Sequence, residues 1–409
     1  MNRQPYCSPP ASWPAKLAPW WIRLSRGYRH RQLIGKQRIV DISPDNIAVV
    51  QSALTSGNGV LITPNHSAHY DAPALYAAFD EIRQPLYIMT AWQVFGLATK
   101  FERWAMQRLG CFSIDREGTD RQAFKQAVEV VQNEPHPLVI FPEGDIYHTT
   151  DYVTPFRDGA AAIALSAAKR SERPISIVPC GIKFWYVDDP REQLLEAMQR
   201  IEERLYLRVD PDSPLPDRIH RLAEAALALK ELDYLGYTCS GKLRDRIRGL
   251  LETVVSRLER KHKITKTGGT PPERVKTLRQ AIIRCLEDEE SPPGESNGEA
   301  RHLRCDMEDL FFAMQLYSYR GDYLVTNPSI ERLAETVDKF EEDVLGLDYP
   351  SVRGNRRVAI RFAEAIELQP GKSKQNAAEL TEIMQSRVQA TIDNSNALGS
   401  RFARPTARD

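Results

Sequence analysis

"GVLITPNHSAHYDAPALYAAF", Gly59 to Phe79, joins an apolar run to a helical pattern through a short polar stretch holding two histidines and an aspartate. Val60, Leu61 and Ile62 read as a buried strand, and Ala74, Leu75, Ala78 and Phe79 recur at the three-to-four spacing of a helix face. The same alternation extends outward over residues 47 to 187. "PLYIMT", "CFSID", "PLVIFPEG" and "ISIVPCGIKF" read as further strands, and "GLATKFERWAMQRLG", "TDRQAFKQAVEVVQ" and "DGAAAIALSAAKR" as helices between them. Alternation of this kind predicts an α/β domain with a mixed, largely buried sheet flanked by helices.

"RVDPDSPLPDR", Arg208 to Arg218, breaks the pattern with three prolines and three aspartates, and a domain boundary is expected there. Beyond it the pattern is helical almost throughout, including "RRVAIRFAEAIEL" from Arg356 to Leu368, so an all-α C-terminal domain is expected. The resulting division is a basic segment over 1–44, an α/β domain over 45–210 and a helical domain over 211–400. An acidic stretch rich in Pro, Gly and Ser near 287–300 reads as a flexible loop within the last. In "DLFFAMQLYSYRGDYLVTNPSIERL", Asp309 to Leu333, a buried helix followed by a turn is expected. The other reading is an aromatic cover over a site or a membrane contact.

The 409 residues carry 55 Lys or Arg and 55 Asp or Glu, so no global field argues for nucleic acid. Charge is uneven locally. Residues 1–40 hold eight Lys or Arg and no acid, together with Trp13, Trp20 and Trp21. Such a segment suits the surface of an anionic membrane, and equally a helix that packs its tryptophans on its own domain. No apolar run reaches the roughly 18 residues of a membrane span. Arg23 and Arg26 interrupt any secretory signal, and six scattered cysteines without CxxC spacing suit reduced, cytosolic thiols.

The polar stretch Asn65 to Asp71 allows three readings. A metal site would use His66, His69 and Asp71, but zinc-type pairs on one helix usually place His four residues apart, and no second ligand cluster follows. A dyad would make His66 a general base and Asp71 the group that orients its ring and stabilises the imidazolium. Residues five apart on a regular helix point about 140° away from each other, so this pair can meet only across a turn. The third reading is a polar helix start.

Further downstream, "LVIFPEGDIYHTTDYVTPFRDGAAAIAL", Leu138 to Leu165, puts Phe-Pro-Glu-Gly after an apolar strand and "FRDGAA" at a helix start. Together with His66-x4-Asp71, "GCFSIDR" (Gly110 to Arg116) and "SIVPCGI" (Ser176 to Ile182), this resembles the glycerolipid acyltransferase superfamily, whose four blocks stand here in order. The resemblance covers about residues 45–190.

The resemblance implies catalytic roles for His66 and Asp71, with acyl-CoA or acyl-carrier protein as co-substrate, no covalent acyl-enzyme, and no metal or other cofactor. It implies that Arg116 binds the acceptor's phosphate, that Glu143 and Gly144 shape the acceptor site, and that Arg157 stands where the family more often has Lys, as another phosphate partner. Pro179 would close the far wall beside the acyl chain. After "FPEG" the family commonly continues Thr-Arg-Ser, whereas this chain reads "DIYH", Asp145 to His148, which places an acid where phosphate is expected. His69 and His148 are extra candidates for contact. The implied protein is an O-acyltransferase of phospholipid biosynthesis acting on a precursor such as 1-acylglycerol-3-phosphate, cytoplasmic and peripheral on the inner face of the cell membrane. Its expected partners are the lipid surface and a protein for the helical half, with no nucleic acid. The alternatives are another acceptor, namely a lysophospholipid, an amino-acid lipid or a polyol, and a non-catalytic membrane-associated scaffold.

Overall fold

The structure, a computed structural model, describes residues 11–116, 120–265, 268–288, 298–325, 328–371 and 375–402. The chain forms two units. One spans Pro9–Pro190 and Val352–Asp409; the other contains Arg191–Ser351.

The first unit opens with α1 (Pro19–Gly35), β1 (Ile39–Asp45), α2 (Ala48–Thr55), β2 (Gly59–Pro64) and α3 (Asp71–Glu81). Then follow β3 (Tyr87–Ala91), α4 (Trp92–Leu97), α5 (Lys100–Arg108), β4 (Cys111–Ile114) and α6 (Arg121–Asn133). β5 (Leu138–Val139), α7 (Gly159–Arg170) and β6 (Ile175–Tyr186) complete its N-terminal part. The helical unit contains α8 (Arg191–Arg204), α9 (Leu215–Leu235), α10 (Leu243–Lys261), α11 (Pro271–Asp288), α12 (Gly298–Ser318) and α13 (Ile330–Leu345). The chain then returns to the sheet with β7 (Arg356–Phe362) and β8 (Ile366–Leu368), and ends in α14 (Ala377–Phe402).

The sheet has eight strands in the order β1-β7-β6-β2-β5-β3-β4, with β8 also on β6. β6, β2, β5, β3 and β4 run parallel, while β7 and β8 run antiparallel to β6, so the sheet is mixed, flanked by helices, as expected. Alternation along β2 sorts the two faces: Leu61 points into a core with α6, α7 and α14, and Val60 and Ile62 into one with α1, α2 and α3. On β6, Gly181 lies under α14 so closely that a Cβ there would stand 2.2 Å from Thr391 Oγ1.

Residues 356–368 correct the helical reading. Val358, Ile360 and Phe362 are buried while Arg357, Ala359 and Arg361 are less so, which is the period of two of a strand. Val358, Phe362 and Ile366 also fit four-residue spacing, and Ile360 and Leu368 break the tie. In the sheet Phe362, Ile360 and Val358 stand opposite Cys180, Ile182 and Phe184 of β6. An edge as long as that of β6 needs a partner, and this segment supplies it.

The helical unit's core gathers Leu250, Val254, Val255, Leu278, Ile282, Leu310, Ala313 and Met314 from α10, α11 and α12. The aromatic stretch belongs to this unit: Phe312 stacks on Tyr234 at 4.8 Å and Tyr319 on Phe340 at 5.7 Å, as the buried-helix reading expects. The acidic loop expected near 287–300 falls largely on residues 289–297, outside the described residues. No helix among the described residues is long and apolar enough to cross a membrane.

Candidate active site

β2 ends at Pro64, and residues 65–70 form a turn before α3 starts at Asp71. Asn65 anchors the turn: its Oδ1 accepts from Ile182 N at 2.7 Å and its Nδ2 donates to Ile182 O at 3.0 Å. The side chain thus extends the β2–β6 ladder as a backbone peptide would, past the proline that closes the strand. His66 follows directly at the carboxyl end of β2, where α/β sheets place ligand sites.

His66 Nδ1 and Asp71 Oδ2 stand 2.9 Å apart across the turn. The same oxygen accepts from the backbone N–H groups of Ser67, at 2.7 Å, and Ala68, at 2.9 Å. Asp71 is fully buried in the first turn of α3, where the helix N-terminus favours negative charge. A carboxylate only accepts, so Nδ1 carries the proton in this contact and Nε2 keeps its lone pair. The ring stacks on Phe141 at 4.2 Å. A metal held by His66, His69 and Asp71 would compete with three N–H donors already on Oδ2.

Glu143 holds the other side of the turn. Its Oε1 accepts from His66 N at 2.6 Å and its Oε2 from Thr154 N at 3.0 Å. Burial pushes its carboxyl up to about 8, against the two N–H donors that favour the charge. Gly144 follows with φ +79°, the left-handed region, and a Cβ there would lie 2.6 Å from Arg157 Nε. The absent side chain is what lets the Arg157 guanidinium lie on the loop. Arg157 is half-buried, its backbone N–H donates to Pro142 O at 2.9 Å, and its guanidinium has no hydrogen-bonding or ionic partner among the described residues.

Arg116 reaches the same loop from the turn after β4: its Nη1 donates to Gly144 O and to Asp145 Oδ1, the latter at 3.1 Å. The acid at the departure "DIYH" is therefore the ionic partner of the arginine expected to meet phosphate. Pro179 lies in β6 beside Thr63 of β2. Its carbonyl accepts from Ala363 N, so its missing N–H falls on that same side, and the pairing with β2 loses no bond. His69 and His148 have ring centroids 5.7 Å apart.

The fold thus connects His66, Asp71, Glu143, Gly144, Arg116 and Arg157 through direct contacts, with Pro179 on the neighbouring strand. Sequence reasoning missed Asn65 as the ladder extension, Phe141 as the stacking partner and the buried Lys183, which pairs with Asp151 and donates to Thr150 Oγ1 at 3.2 Å. Phe141 could have been read from its place in "FPEG"; the other two depend on contacts across more than 30 residues. Residues 45–183 match the family model described as Acyltransferase. No curated protein and no solved structure matches the chain.

Proposed function

Because residues 45–183 are an acyltransferase domain of the glycerolipid acyltransferase superfamily, we propose that the protein moves a fatty acyl group from acyl-CoA or acyl-carrier protein to a hydroxyl of a glycerolipid precursor. A precursor such as 1-acylglycerol-3-phosphate would place it in phospholipid biosynthesis. The observation that carries this reading is the 2.9 Å contact between His66 Nδ1 and Asp71, whose carboxylate two backbone N–H groups also hold.

His66 Nε2 takes the acceptor's hydroxyl proton as that oxygen attacks the thioester carbon. The tetrahedral intermediate collapses with loss of the thiolate, which takes the proton back from the imidazolium. Ester and free thiol leave, and no acyl-enzyme forms. Asp71 stabilises the imidazolium and holds its tautomer. Glu143 positions the His66 backbone, Arg157 offers a guanidinium that has no partner among the described residues to an anionic part of either substrate, and Pro179 stands by the acyl chain. The reaction needs no metal or redox cofactor, since the thioester is already activated.

A second reading has a specific support. Asp145 on Arg116 offsets one of the two cations expected to bind phosphate, which favours an acceptor with less negative charge, a lysophospholipid, amino-acid lipid or polyol. Radiolabelled acyl thioester offered to a panel of acceptors separates the two. Transfer to 1-acylglycerol-3-phosphate supports the first; transfer confined to lysophospholipid, amino-acid lipid or polyol acceptors replaces it with the second; no transfer to any acceptor favours the scaffold.

A further inference from the structure

α1 is amphipathic in an unusual sense, because two of its faces carry apolar or packing residues. Ile22, Ser25 and Leu33 are buried against the sheet unit, and Arg29 on the same side donates to Asp80 at 2.7 and 2.5 Å. A different row, Trp20, Leu24 and Tyr28, steps by four residues along the outside, and Trp20 is 58% and Leu24 71% exposed.

The tryptophans of this segment divide accordingly. Trp13 stacks on Phe95 at 5.5 Å and Trp21 packs on Trp104 at 4.8 Å, so both serve the domain's own packing. Trp20 and Phe101 flank Trp21 from two sides, at 5.9 and 6.2 Å. Phe101, in the first turn of α5, is 65% exposed, and Leu97, at the end of α4, is 75% exposed. Helices distant in sequence therefore contribute to one outward aromatic and aliphatic surface.

Charge identifies what covers it. Residues 11–40 carry Lys16, Arg23, Arg26, Arg29, Arg31, Lys36 and Arg38 and no acid; among the described residues only Arg29 of these is in a salt bridge with a carboxylate, and Lys36 lies near enough to Glu102 to favour its charge. Lys100 adds a further exposed cation beside Phe101. A second copy of the chain would bring like charge against like charge, whereas an anionic bilayer offers both apolar depth and countercharge.

We infer that Trp20 and Leu24 of α1, with Leu97 and Phe101 of the α4–α5 corner, dock the protein on an anionic lipid surface, with Arg23, Arg26 and Lys100 at headgroup level. This rests on the acyltransferase reading only in giving the docking a purpose; the docking itself is measured without substrate. It differs from the expectation for residues 1–44 in excluding Trp13 and Trp21 and in adding α4 and α5.

The test is sedimentation of the full chain with vesicles of phosphatidylcholine alone and of phosphatidylcholine with phosphatidylglycerol. The wild type should bind the anionic vesicles, and Leu97→Ser with Phe101→Ser should lower that binding by about tenfold or more. Trp20→Ser with Leu24→Ser should do the same, and Arg23→Glu with Arg26→Glu should remove the preference for anionic lipid. Thermal melts confirm that each variant is folded. As a second measurement, brominated acyl chains should quench wild-type tryptophan fluorescence, and Trp20→Phe should lose most of that quenching. Wild-type-like binding by the Leu97/Phe101 variant would overturn the inference, as would a shift from dimer to monomer in light scattering with vesicle binding unchanged. Acyl transfer to a detergent-solubilised acceptor should be unaffected by the apolar variants; if the wild type binds vesicles yet transfers nothing, docking stands and the functional reading falls.

Discussion

Among the described residues two histidine–aspartate pairs have buried carboxylates, one in each unit, and their surroundings differ. In the helical unit, His262 caps α10 and its Nε2 stands 2.7 Å from Asp306 of α12, while Lys261 lies 2.7 Å from the other oxygen of the same carboxylate. A permanent cation already compensates Asp306, and the pair ties one helix to the next. Asp71 has no Lys or Arg on it among the described residues; its donors are two uncharged backbone N–H groups and His66. Its charge is available to a proton arriving on His66. A histidine–aspartate contact alone is thus not a site, and what distinguishes the first is its place at a strand end and the absence of a competing cation.

Substitution of the two histidines is the sharpest way to break this contrast. His66→Ala should lower kcat for acyl transfer by about 10²–10⁴-fold, the usual weight of a general base, while His262→Ala leaves it within about twofold. Steady-state kinetics on folded proteins decides, and full activity in His66→Ala would sink the base assignment. Asp71→Asn should cost about 10²-fold or more in kcat, since an amide cannot stabilise the imidazolium. Asp306→Asn should instead lower stability by about 1–3 kcal/mol through loss of the Lys261 and His262 contacts, measured by denaturant unfolding, with the chemistry retained.

Glu143 sharpens the comparison through pH. Its folded pKa is raised above the unfolded one, so the fold binds its proton more tightly. Its contribution to stability is then fully present below the ordinary carboxyl range, near 4.5, and is lost as pH rises toward about 8. Wild-type melting temperature should therefore fall more over the roughly four pH units between about pH 5 and about pH 9 than that of Glu143→Gln, whose side chain does not titrate. Equal falls in both proteins would remove Glu143 as the cause. The smallest effect is expected for Gly144→Ala. The left-handed backbone at this residue costs an alanine about 1–2 kcal/mol, and displacement of Arg157 should raise KM for the anionic substrate more than it lowers kcat.

The strands and helices of residues 47–187 were legible because each carries its own periodicity. β4 and β5 fall within the runs read as strands, and β2, β3 and β6 start within theirs and extend past them by one or two residues. Residues 356–368 were misread because Val358, Phe362 and Ile366 satisfy two periods at once, and only pairing with β6 chooses between them. The division of the chain was harder still. The helical unit runs Arg191–Ser351, and the chain after it joins the sheet, a return over more than 160 residues that no local pattern announces. Within the site, the requirement that His66 and Asp71 meet across a turn could be stated from helix geometry alone. That Asp145 would lie on Arg116 could not, because they stand 29 residues apart on different turns.

Residue order by itself determined the α/β character, the His66–Asp71 interval and the four ordered blocks, because strand and helix periods and a five-residue turn are local properties. Tertiary structure alone decided which partner each charged group takes. Arg116 found Asp145, Asp71 found backbone N–H groups rather than a cation, and Trp13 and Trp21 turned inward while Phe101 joined Trp20 outside. The physical reason is that burial and pairing depend on which distant strand or helix arrives beside a residue, and that is settled by packing the whole sheet.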